Sequence, residues 1–341
     1  MTAHDLAATA AALVAEGKGI LAADESFGTI EKRFEGIGVA STEDTRRAYR
    51  DLLFTTPGAA EFISGAILFD ETLRQSAADG RSFVEVLQGQ GIVPGIKVDT
   101  GAKPLPGAPG ETVTEGLDGL GDRLAEYRAL GARFTKWRAV IAIGDGIPSA
   151  DCIGANAHAL ARFAALSQEA GLVPIVEPEV LMDGAHSIER CAEVTEATLH
   201  ATFGALFEQR VVLEGMLLKP NMVLSGTDHH PQAGVAEVAA ATVRTMRRCV
   251  PAAVPGIVFL SGGQSDEAAT AHLNAMNAMA GEQPWQLGFS YGRALQAPAL
   301  RAWRGKADNV SKAKDAFLHR ARLNGAARHG RYSADMEAAV A

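Results

Sequence analysis

Ionisable side chains stand at or just after the C-terminal ends of several short apolar segments of this sequence. They are Asp24, Lys97, Lys136, Arg138, Glu177, Lys219 and Arg293. An unpaired charge in an apolar interior is strongly destabilising, so charges of both signs are expected to gather where they can pair. Any one of them could instead reach solvent from the end of its segment. Their recurrence along the chain favours a single shared site.

The residue types in this set indicate a particular kind of chemistry. Burial and a neighbouring positive charge both favour the neutral form of a lysine amine, which can then act as a nucleophile. Arginines and additional lysines bind phosphate groups, and carboxylates transfer protons. The set is therefore suited to combine an amine nucleophile, proton transfer and a phosphorylated ligand.

Two glycine-containing segments strengthen the phosphate prediction. The segment SGGQS (261–265) follows an apolar run, and its last serine can cap the helix that begins next, so backbone N–H groups would face a ligand. In the following strand-to-helix turn, Gly292 permits close backbone approach beside the fixed charge of Arg293. Most Gly-Gly pairs are simply turns, but the combination with Arg293 predicts a phosphate site.

The apolar segments that carry these residues alternate with helical patterns. Eight short runs predict strands at 20–23, 62–68, 92–98, 134–140, 173–177, 216–219, 257–260 and 287–290. Apolar residues recur at helical spacing in 42–54, 116–130, 150–170, 188–208, 235–247 and 265–279. Such alternation indicates parallel strands with right-handed crossovers. Eight repeats favour an α/β protein with a closed (β/α)8 TIM barrel over an open doubly wound sheet, and place the catalytic face at the C-terminal ends of the strands.

The domain organisation predicted from the sequence is simple. No linker or repeat divides the chain, so we expect one domain over 1–341, with the barrel at roughly 17–303 and C-terminal helices and tail at 304–341. Helical patterns at 294–303 and 307–322 follow the eighth strand. Residues from Asn324 onward are small and polar, which predicts a mobile tail. The least regular internal segment is the loop 101–111 (GAKPLPGAPGE).

Composition argues against several classes of protein. The formal net charge of −8 disfavours nucleic-acid and anionic-membrane partners. No uncharged stretch is suited to span a membrane, and the Ala-rich amphipathic N-terminus is unlike a signal peptide, so we expect a cytoplasmic protein. The three cysteines are widely separated, which predicts buried reduced thiols. Adjacent His229 and His230 rarely converge on one ion, so no metal site is expected.

With these residues in view, the sequence resembles the class I fructose-bisphosphate aldolase family from about residue 17 to residue 303. The similar segments are GKGILAADES (17–26), GIKVDTG (95–101), KWRAVIAIG (136–144), VPIVEPEVLMDGAH (173–186), LLKPNMV (217–223), FLSGGQS (259–265) and FSYGRALQAPALRAW (289–303). The resemblance implies a (β/α)8 barrel and a carbon–carbon lyase of glycolysis and gluconeogenesis. Such an enzyme cleaves fructose 1,6-bisphosphate reversibly to dihydroxyacetone phosphate and glyceraldehyde 3-phosphate, with no cofactor and no metal ion.

The resemblance also implies a role for each catalytic candidate. Lys219 in LLKPN matches the lysine that forms a Schiff base with the substrate ketone. Glu177 in VEPE matches the carboxyl group that moves protons as the carbinolamine forms and loses water, and Glu179 would tune it. Asp24 in AADES matches the carboxylate that accepts the hydroxyl proton as the carbon–carbon bond breaks. Lys136 matches a lysine whose charge helps to keep Lys219 neutral.

Two sets of phosphate contacts follow from the same resemblance. For the phosphate nearer the ketone, the set is Ser261, Gly262, Ser290, Gly292, Arg293 and Arg33, with Gly263 in the same loop. For the distal phosphate, it is Ser26, Thr29, Lys97 and Arg138. The implied partner is therefore a small sugar phosphate. Family members are often tetrameric, so we also expect a homo-oligomer, with a tetramer as one form.

Two departures from the family's animal members affect these expectations. Phe27 stands where those members have a small hydroxyl residue, so the distal phosphate pocket would be reshaped. The chain ends in MEAAVA (336–341) instead of a tyrosine that assists protonation of the enamine, and its last tyrosine is Tyr332. Either another group performs that protonation or the step is slower.

Two alternatives remain open from the sequence. A different Schiff-base barrel enzyme, such as a transaldolase, would share the imine lysine but need not have two phosphate sites. A non-catalytic binding protein would have little reason to retain four costly buried charges, which argues against it. The preference between fructose 1,6-bisphosphate and fructose 1-phosphate also stays open, because both place one phosphate in the better-defined set.

Overall fold

The computed structural model describes residues 3–339. The strands, in chain order, are β1 (Gly19–Ala23), β2 (Ile63–Leu68), β3 (Val93–Lys97), β4 (Gly101–Pro104), β5 (Thr112–Glu115), β6 (Phe134–Ile141), β7 (Val173–Val180), β8 (Leu217–Leu218), β9 (Gly256–Phe259) and β10 (Gln286–Tyr291). The helices are α1 (Ala3–Leu13), α2 (Phe27–Glu35), α3 (Glu43–Phe54), α4 (Asp70–Leu73), α5 (Phe83–Gly89), α6 (Leu120–Ala129), α7 (Ala150–Glu169), α8 (Ile188–Glu208), α9 (Val235–Cys249), α10 (Asp266–Ala278), α11 (Arg293–Trp303) and α12 (Val310–Arg328). Short 3-10 turns lie at Ala59–Glu61, Leu213–Gly215, Ala307–Asn309 and Ala334–Ala339.

Eight of the strands close into a barrel in the order β1, β2, β3, β6, β7, β8, β9 and β10, with β10 pairing back to β1. Every neighbouring pair in this ring is parallel. The spatial order follows the chain order, as expected when helices make each crossover. The predicted (β/α)8 barrel is confirmed, and the open doubly wound sheet is excluded.

Serine caps fix the starts of the long helices that flank the catalytic end of the barrel. The side chains of Ser149, Ser187 and Ser265 each accept a hydrogen bond from a backbone N–H in the first turn of α7, α8 and α10, respectively. These bonds satisfy one of the otherwise unpaired donors at each helix start. The local sequence therefore determines where each of these helices begins after its strand.

The N-terminal end of the barrel is closed by an apolar plug. Leu6 and Leu13 of α1 belong to one buried cluster with Phe134 and Val173, the first residues of β6 and β7. A side chain on Gly95 of β3 would clash with the Phe134 ring, so glycine at this position makes room for the aromatic filling. The Ala-rich N-terminal segment is thus part of the barrel's core.

Two segments differ from the sequence predictions. The irregular loop 101–111 begins with β4, which pairs antiparallel with β5 in a hairpin outside the barrel, and the helix predicted from residue 116 begins at residue 120. The tail predicted from Asn324 is wrong for its first part, because α12 continues to Arg328 and both residues are buried. Arg328 donates hydrogen bonds to the carbonyls of Val14 and Leu287, tying α12 to the barrel base.

Candidate active site

A cavity of about 720 Å³ opens at the C-terminal ends of the barrel strands. It brings together every catalytic and phosphate-binding candidate from the sequence except Gly263, namely Asp24, Ser26, Thr29, Arg33, Lys97, Lys136, Arg138, Glu177, Glu179, Lys219, Ser261, Gly262, Ser290, Gly292 and Arg293. The backbone N–H of Gly263 instead lies 3.1 Å from Met182 Sδ. Because parallel strands end at one rim, residues far apart in sequence meet here.

The register of the central strands explains how charged residues reach this cavity. In the strand register, Lys97 of β3 lies opposite Lys136 of β6, and Arg138 of β6 lies opposite Glu177 of β7. Between Lys136 and Arg138, Trp137 is fully buried and stacks on Phe163 of α7, with ring centroids 5.6 Å apart. Successive side chains of a strand alternate between faces, so Trp137 packs outward while its neighbours point into the cavity.

Four charged side chains form a continuous chain of ion pairs at the floor of the cavity. Lys219 Nζ lies 3.2 Å from Glu177 Oε1, and Lys136 Nζ lies 3.0 Å from the other oxygen of the same carboxylate. Lys136 Nζ also lies 3.1 Å from Asp24 Oδ2. All four residues are at least nine-tenths buried. Lys136 thus connects the two carboxylates, and Glu177 connects the two lysines.

The mutual pairing shifts the pKa values of Asp24 and Lys136. Burial alone would raise the pKa of Asp24, but the charges of Lys136, Lys219 and Lys97 outweigh it and lower the pKa to about 2. Burial likewise opposes the charge on Lys136, whereas the carboxylates of Asp24 and Glu177 raise its pKa above the ordinary range. Near neutral pH, Asp24 is therefore an anion able to accept a proton, and Lys136 is a fixed cation.

One side of the cavity has the features of an anion site. Ser290 is buried, and its hydroxyl oxygen has no hydrogen-bond partner among residues 3–339. Nearby, the Arg293 guanidinium donates to the carbonyl of Gly262, whose φ of 55° suits glycine. Arg33 pairs with Glu25 at the same edge. A free hydroxyl and two arginines are suited to a phosphate group.

The residues predicted to contact the distal phosphate are less buried than Ser290. The hydroxyls of Ser26 and Thr29 lie 3.2 Å apart, and Lys97 Nζ is 2.6 Å from Asp99 Oδ1. Phe27 is 50% exposed and packs edge-on against Phe69, with ring centroids 5.1 Å apart. Phe27 is absent from the cavity lining, so its side chain does not fill the region predicted for the distal phosphate.

Two buried carboxylates in the site were not assigned a role from the sequence. Glu25 follows Asp24 directly and pairs with Arg33, while Asp99 pairs with Lys97 and accepts a hydrogen bond from the backbone N–H of Arg138 at 3.3 Å. Both stand in the quoted motifs, immediately after predicted strands. An acidic residue near each predicted phosphate-binding cation was the available signal, since buried cations need partners.

The remaining candidates for other chemistry lie elsewhere. Among residues 3–339, no group of three or more His, Cys, Asp and Glu side chains is arranged to hold a metal ion. Cys152, Cys191 and Cys249 are buried free thiols, and burial raises the pKa of each. Within the same part of the chain, no helix combines the length and hydropathy needed to cross a membrane.

The closed parallel barrel and the buried lysine–carboxylate cluster at its C-terminal rim define the class: a (β/α)8-barrel enzyme with charged side chains in its cavity. A family model described as fructose-bisphosphate aldolase class-I matches residues 5–341. The chain belongs to the class I fructose-bisphosphate aldolase family. It is a Schiff-base carbon–carbon lyase that cleaves fructose 1,6-bisphosphate reversibly to dihydroxyacetone phosphate and glyceraldehyde 3-phosphate, which excludes the transaldolase and non-catalytic alternatives.

Individual relatives agree with this assignment over nearly the whole chain. A probable fructose-bisphosphate aldolase class 1 of Xanthomonas campestris is 60% identical, covering 97% of this chain and 99% of the relative. A cytosolic fructose-bisphosphate aldolase 4 of Arabidopsis thaliana is 57% identical, covering 98% and 85%, respectively. The solved aldolase of Plasmodium falciparum, in complex with TRAP and an inhibitor, superposes with a TM-score of 0.95 at 52% identity, covering 97% of this chain and 95% of that one.

Proposed function

We propose that Lys219 is the nucleophile and that Glu177 is its proton-transfer partner. The observation that carries this proposal is the placement of Lys219 Nζ 3.2 Å from one oxygen of Glu177, while Lys136 occupies the other oxygen at 3.0 Å. Attack on a carbonyl requires a neutral amine, and Glu177 is placed to take up the proton that Lys219 gives up. The three residues therefore act as one unit in forming the imine.

The residues then act in sequence. The Lys219 amine attacks the ketone carbon, and Glu177 moves protons from nitrogen to oxygen so that water leaves and a protonated imine forms. Asp24 accepts the hydroxyl proton as the carbon–carbon bond breaks, and the bond electrons move into the imine as an enamine. The aldehyde product departs, the enamine carbon gains a proton, and water hydrolyses the imine. Glu179, which pairs with Arg138 and stands two residues from Glu177 on the same strand, tunes the Glu177 carboxyl group.

Tyr332 is not placed to supply the proton for the enamine carbon. The hydroxyl of Tyr332 donates to Glu337 Oε1 at 2.8 Å and stands outside the cavity lining. The terminal residues 340–341 lie outside the described part of the chain. We propose that Glu177, which touches the nucleophile, returns the proton at this step as well, so that one carboxyl group serves both half-reactions.

The two phosphates are assigned to the two sides of the cavity. The ketone-side phosphate would contact the buried Ser290 hydroxyl, the loop of Ser261, Gly262 and Gly292, and the guanidinium groups of Arg293 and Arg33. The distal phosphate would contact Ser26, Thr29, Lys97 and Arg138. Two arginines and a free buried hydroxyl support the first assignment, and a lysine and two hydroxyls support the second.

We also propose the domain organisation, the cellular location and the oligomeric state of the protein. Packing of α12 on α10 and α11, together with the bonds from Arg328 to the barrel base, supports one domain over 1–341. Cytosolic relatives support a cytoplasmic location. The family resemblance supports a homo-oligomer, with a tetramer as the form to test by sedimentation velocity.

Borohydride reduction with dihydroxyacetone phosphate, followed by peptide mass mapping, tests the nucleophile. We expect a single reduced adduct, on Lys219. An adduct on Lys136 or Lys97 instead would reassign the nucleophile, and no adduct on the folded enzyme would refute the imine mechanism for this chain.

A further inference from the structure

Glu25 is a buried carboxylate held by donors from three helices. Its oxygens pair with Arg33 of α2 and with Arg50 of α3, whose Nη2 lies 2.6 Å from Oε2. Gln296 of α11 donates an amide hydrogen bond to Oε1 at 2.9 Å. Burial alone would raise the pKa of Glu25, but the two arginines outweigh it and lower the pKa, so the group is ionised.

This cluster carries an excess of positive charge. Two arginines share one carboxylate, which leaves one net positive charge on Glu25, Arg33 and Arg50 together. Arg50 is only 3% exposed, and its Nη1 has no hydrogen-bond partner among residues 3–339. An uncompensated charge at a buried position is costly, so an anion bound nearby would offset that cost.

Only one of the two arginines reaches the cavity. Arg33 lines it and its side chain is 21% exposed, whereas Arg50 is absent from the lining. A Cβ placed on Gly292 would lie 3.4 Å from Arg33 Nη2, so the guanidinium group stands directly beside the ketone-side phosphate region. If Arg33 were the sole partner of Glu25, their charges would cancel. Because Arg50 takes up part of that carboxylate's charge, Arg33 keeps positive charge available to a ligand.

We propose that Arg50 is a positioning residue for the ketone-side phosphate. Arg50 does not touch the substrate; by sharing the Glu25 carboxylate, it leaves positive charge on Arg33 available to the substrate phosphate. The inference rests on the phosphate-binding role proposed for Arg33. In this arrangement a buried arginine changes the net charge around a partly buried arginine that lines the cavity.

The test is the substitution Arg50→Gln, assayed with fructose 1,6-bisphosphate and fructose 1-phosphate. We expect KM to rise roughly three- to ten-fold for both substrates, because both carry the ketone-side phosphate, with kcat within about two-fold. Competitive inhibition by inorganic phosphate should weaken in parallel. Borohydride trapping on Lys219 with dihydroxyacetone, which has no phosphate, should be unchanged, and this readout would detect a general loss of fold.

A double substitution separates charge from shape. Glu25→Gln combined with Arg50→Gln returns the cluster to one net positive charge, now on Arg33, and should recover most of the lost affinity. It also leaves no unpaired buried carboxylate, which keeps the test usable if Arg50→Gln alone folds poorly. Arg74→Gln serves as the control, because Arg74 pairs with Asp70 and Glu126 on the surface, away from the cavity.

The outcomes are distinguishable. If Arg33→Gln raises KM and Arg50→Gln does not, the inference fails while the proposed role of Arg33 stands. If Arg33→Gln leaves KM unchanged, the proposed phosphate contact itself fails, and the inference fails with it. If the double variant binds substrate as weakly as Arg50→Gln, Arg50 acts through packing and the charge-sharing inference is overturned.

Discussion

Within strand β6, Phe134 and Lys136 stand two residues apart on the same face, yet they belong to opposite ends of the barrel interior. Phe134 packs among apolar side chains beneath the plug formed by α1, while Lys136 pairs with Asp24 and Glu177 at the rim. A single strand thus passes from a dry, close-packed end to a charged one within a few ångströms.

The two ends of the barrel interior have different physical roles. The apolar end contributes stability in proportion to the surface it removes from water. The charged end costs desolvation energy that ion pairing only offsets, so its value lies in preorganised chemistry. Substitutions at the two ends should therefore affect different observables, and five predictions test that separation.

The largest effect is expected for Lys219→Met at the charged end. Without an amine no imine forms, so turnover should fall by at least about a thousand-fold, while the thermal unfolding midpoint stays close to that of the parent. Steady-state kinetics and borohydride trapping measure the first, and calorimetry the second. Lys97→Met is the matched control, because it removes another cavity lysine and should still be trapped on Lys219. Residual trapping in Lys219→Met would contradict the assignment.

Glu177→Gln should come next. The amide retains the shape of the side chain but cannot carry protons, so kcat should fall by roughly 10²- to 10⁴-fold. Glu193→Gln provides the comparison, since Glu193 is an exposed carboxylate paired with Arg190 on α8. Single-turnover measurements should show slow imine formation. Turnover at the parental rate would remove Glu177 from the mechanism.

Phe134→Ala tests the opposite end. Deleting a fully buried ring should lower the free energy of unfolding by about 3–5 kcal/mol, because a cavity remains beside Gly95 and α1. The kcat of the folded fraction should stay within about three-fold of the parent. Urea unfolding and kinetics below the transition measure the two quantities. A large loss of kcat with unchanged stability would contradict the proposed separation between an apolar end that stabilises the fold and a charged end that carries the chemistry.

The pH dependence of stability should show the contribution of Asp24. Its pKa is about 2 in the folded protein, against an ordinary value of 3.8, so the unfolded chain binds this proton more readily. The ionised group therefore stabilises the fold by about 2 kcal/mol above pH 4, and this is lost as the pH falls through about 2. The stability gap between parent and Asp24→Asn should shrink by about 1 kcal/mol between about pH 7 and about pH 3. If urea unfolding gives the same difference in unfolding free energy between the two proteins at both pH values, the lowered pKa of Asp24 is contradicted.

The smallest effect is expected from chelation. An imine serves as the electron sink in this mechanism, so EDTA should leave turnover unchanged within experimental error. Activity assayed before and after dialysis against EDTA measures this. A loss that is restored by a divalent cation would show that the charged end needs a metal ion.

Much of the charged end could be predicted from the sequence because its signals are local. Lys219 and Glu177 each stand at the end of a short apolar run, within motifs that resemble those of the aldolase family. Charges in such places are rare without a function. Gly263 shows the limit of this reasoning, since Ser261 and Gly262 before it line the cavity while its own backbone contacts Met182.

The alternation of strands and helices is encoded locally, since apolar periodicity and serine caps act within a few residues. The pairing of charges is not encoded locally, because Lys136 and Asp24 are 112 residues apart in the sequence and meet only when the barrel closes. The same holds for α1 beneath Phe134, for Arg328 against the barrel base, and for Arg50 behind Arg33. Each of these contacts depends on the packing of distant elements, for which no local pattern exists.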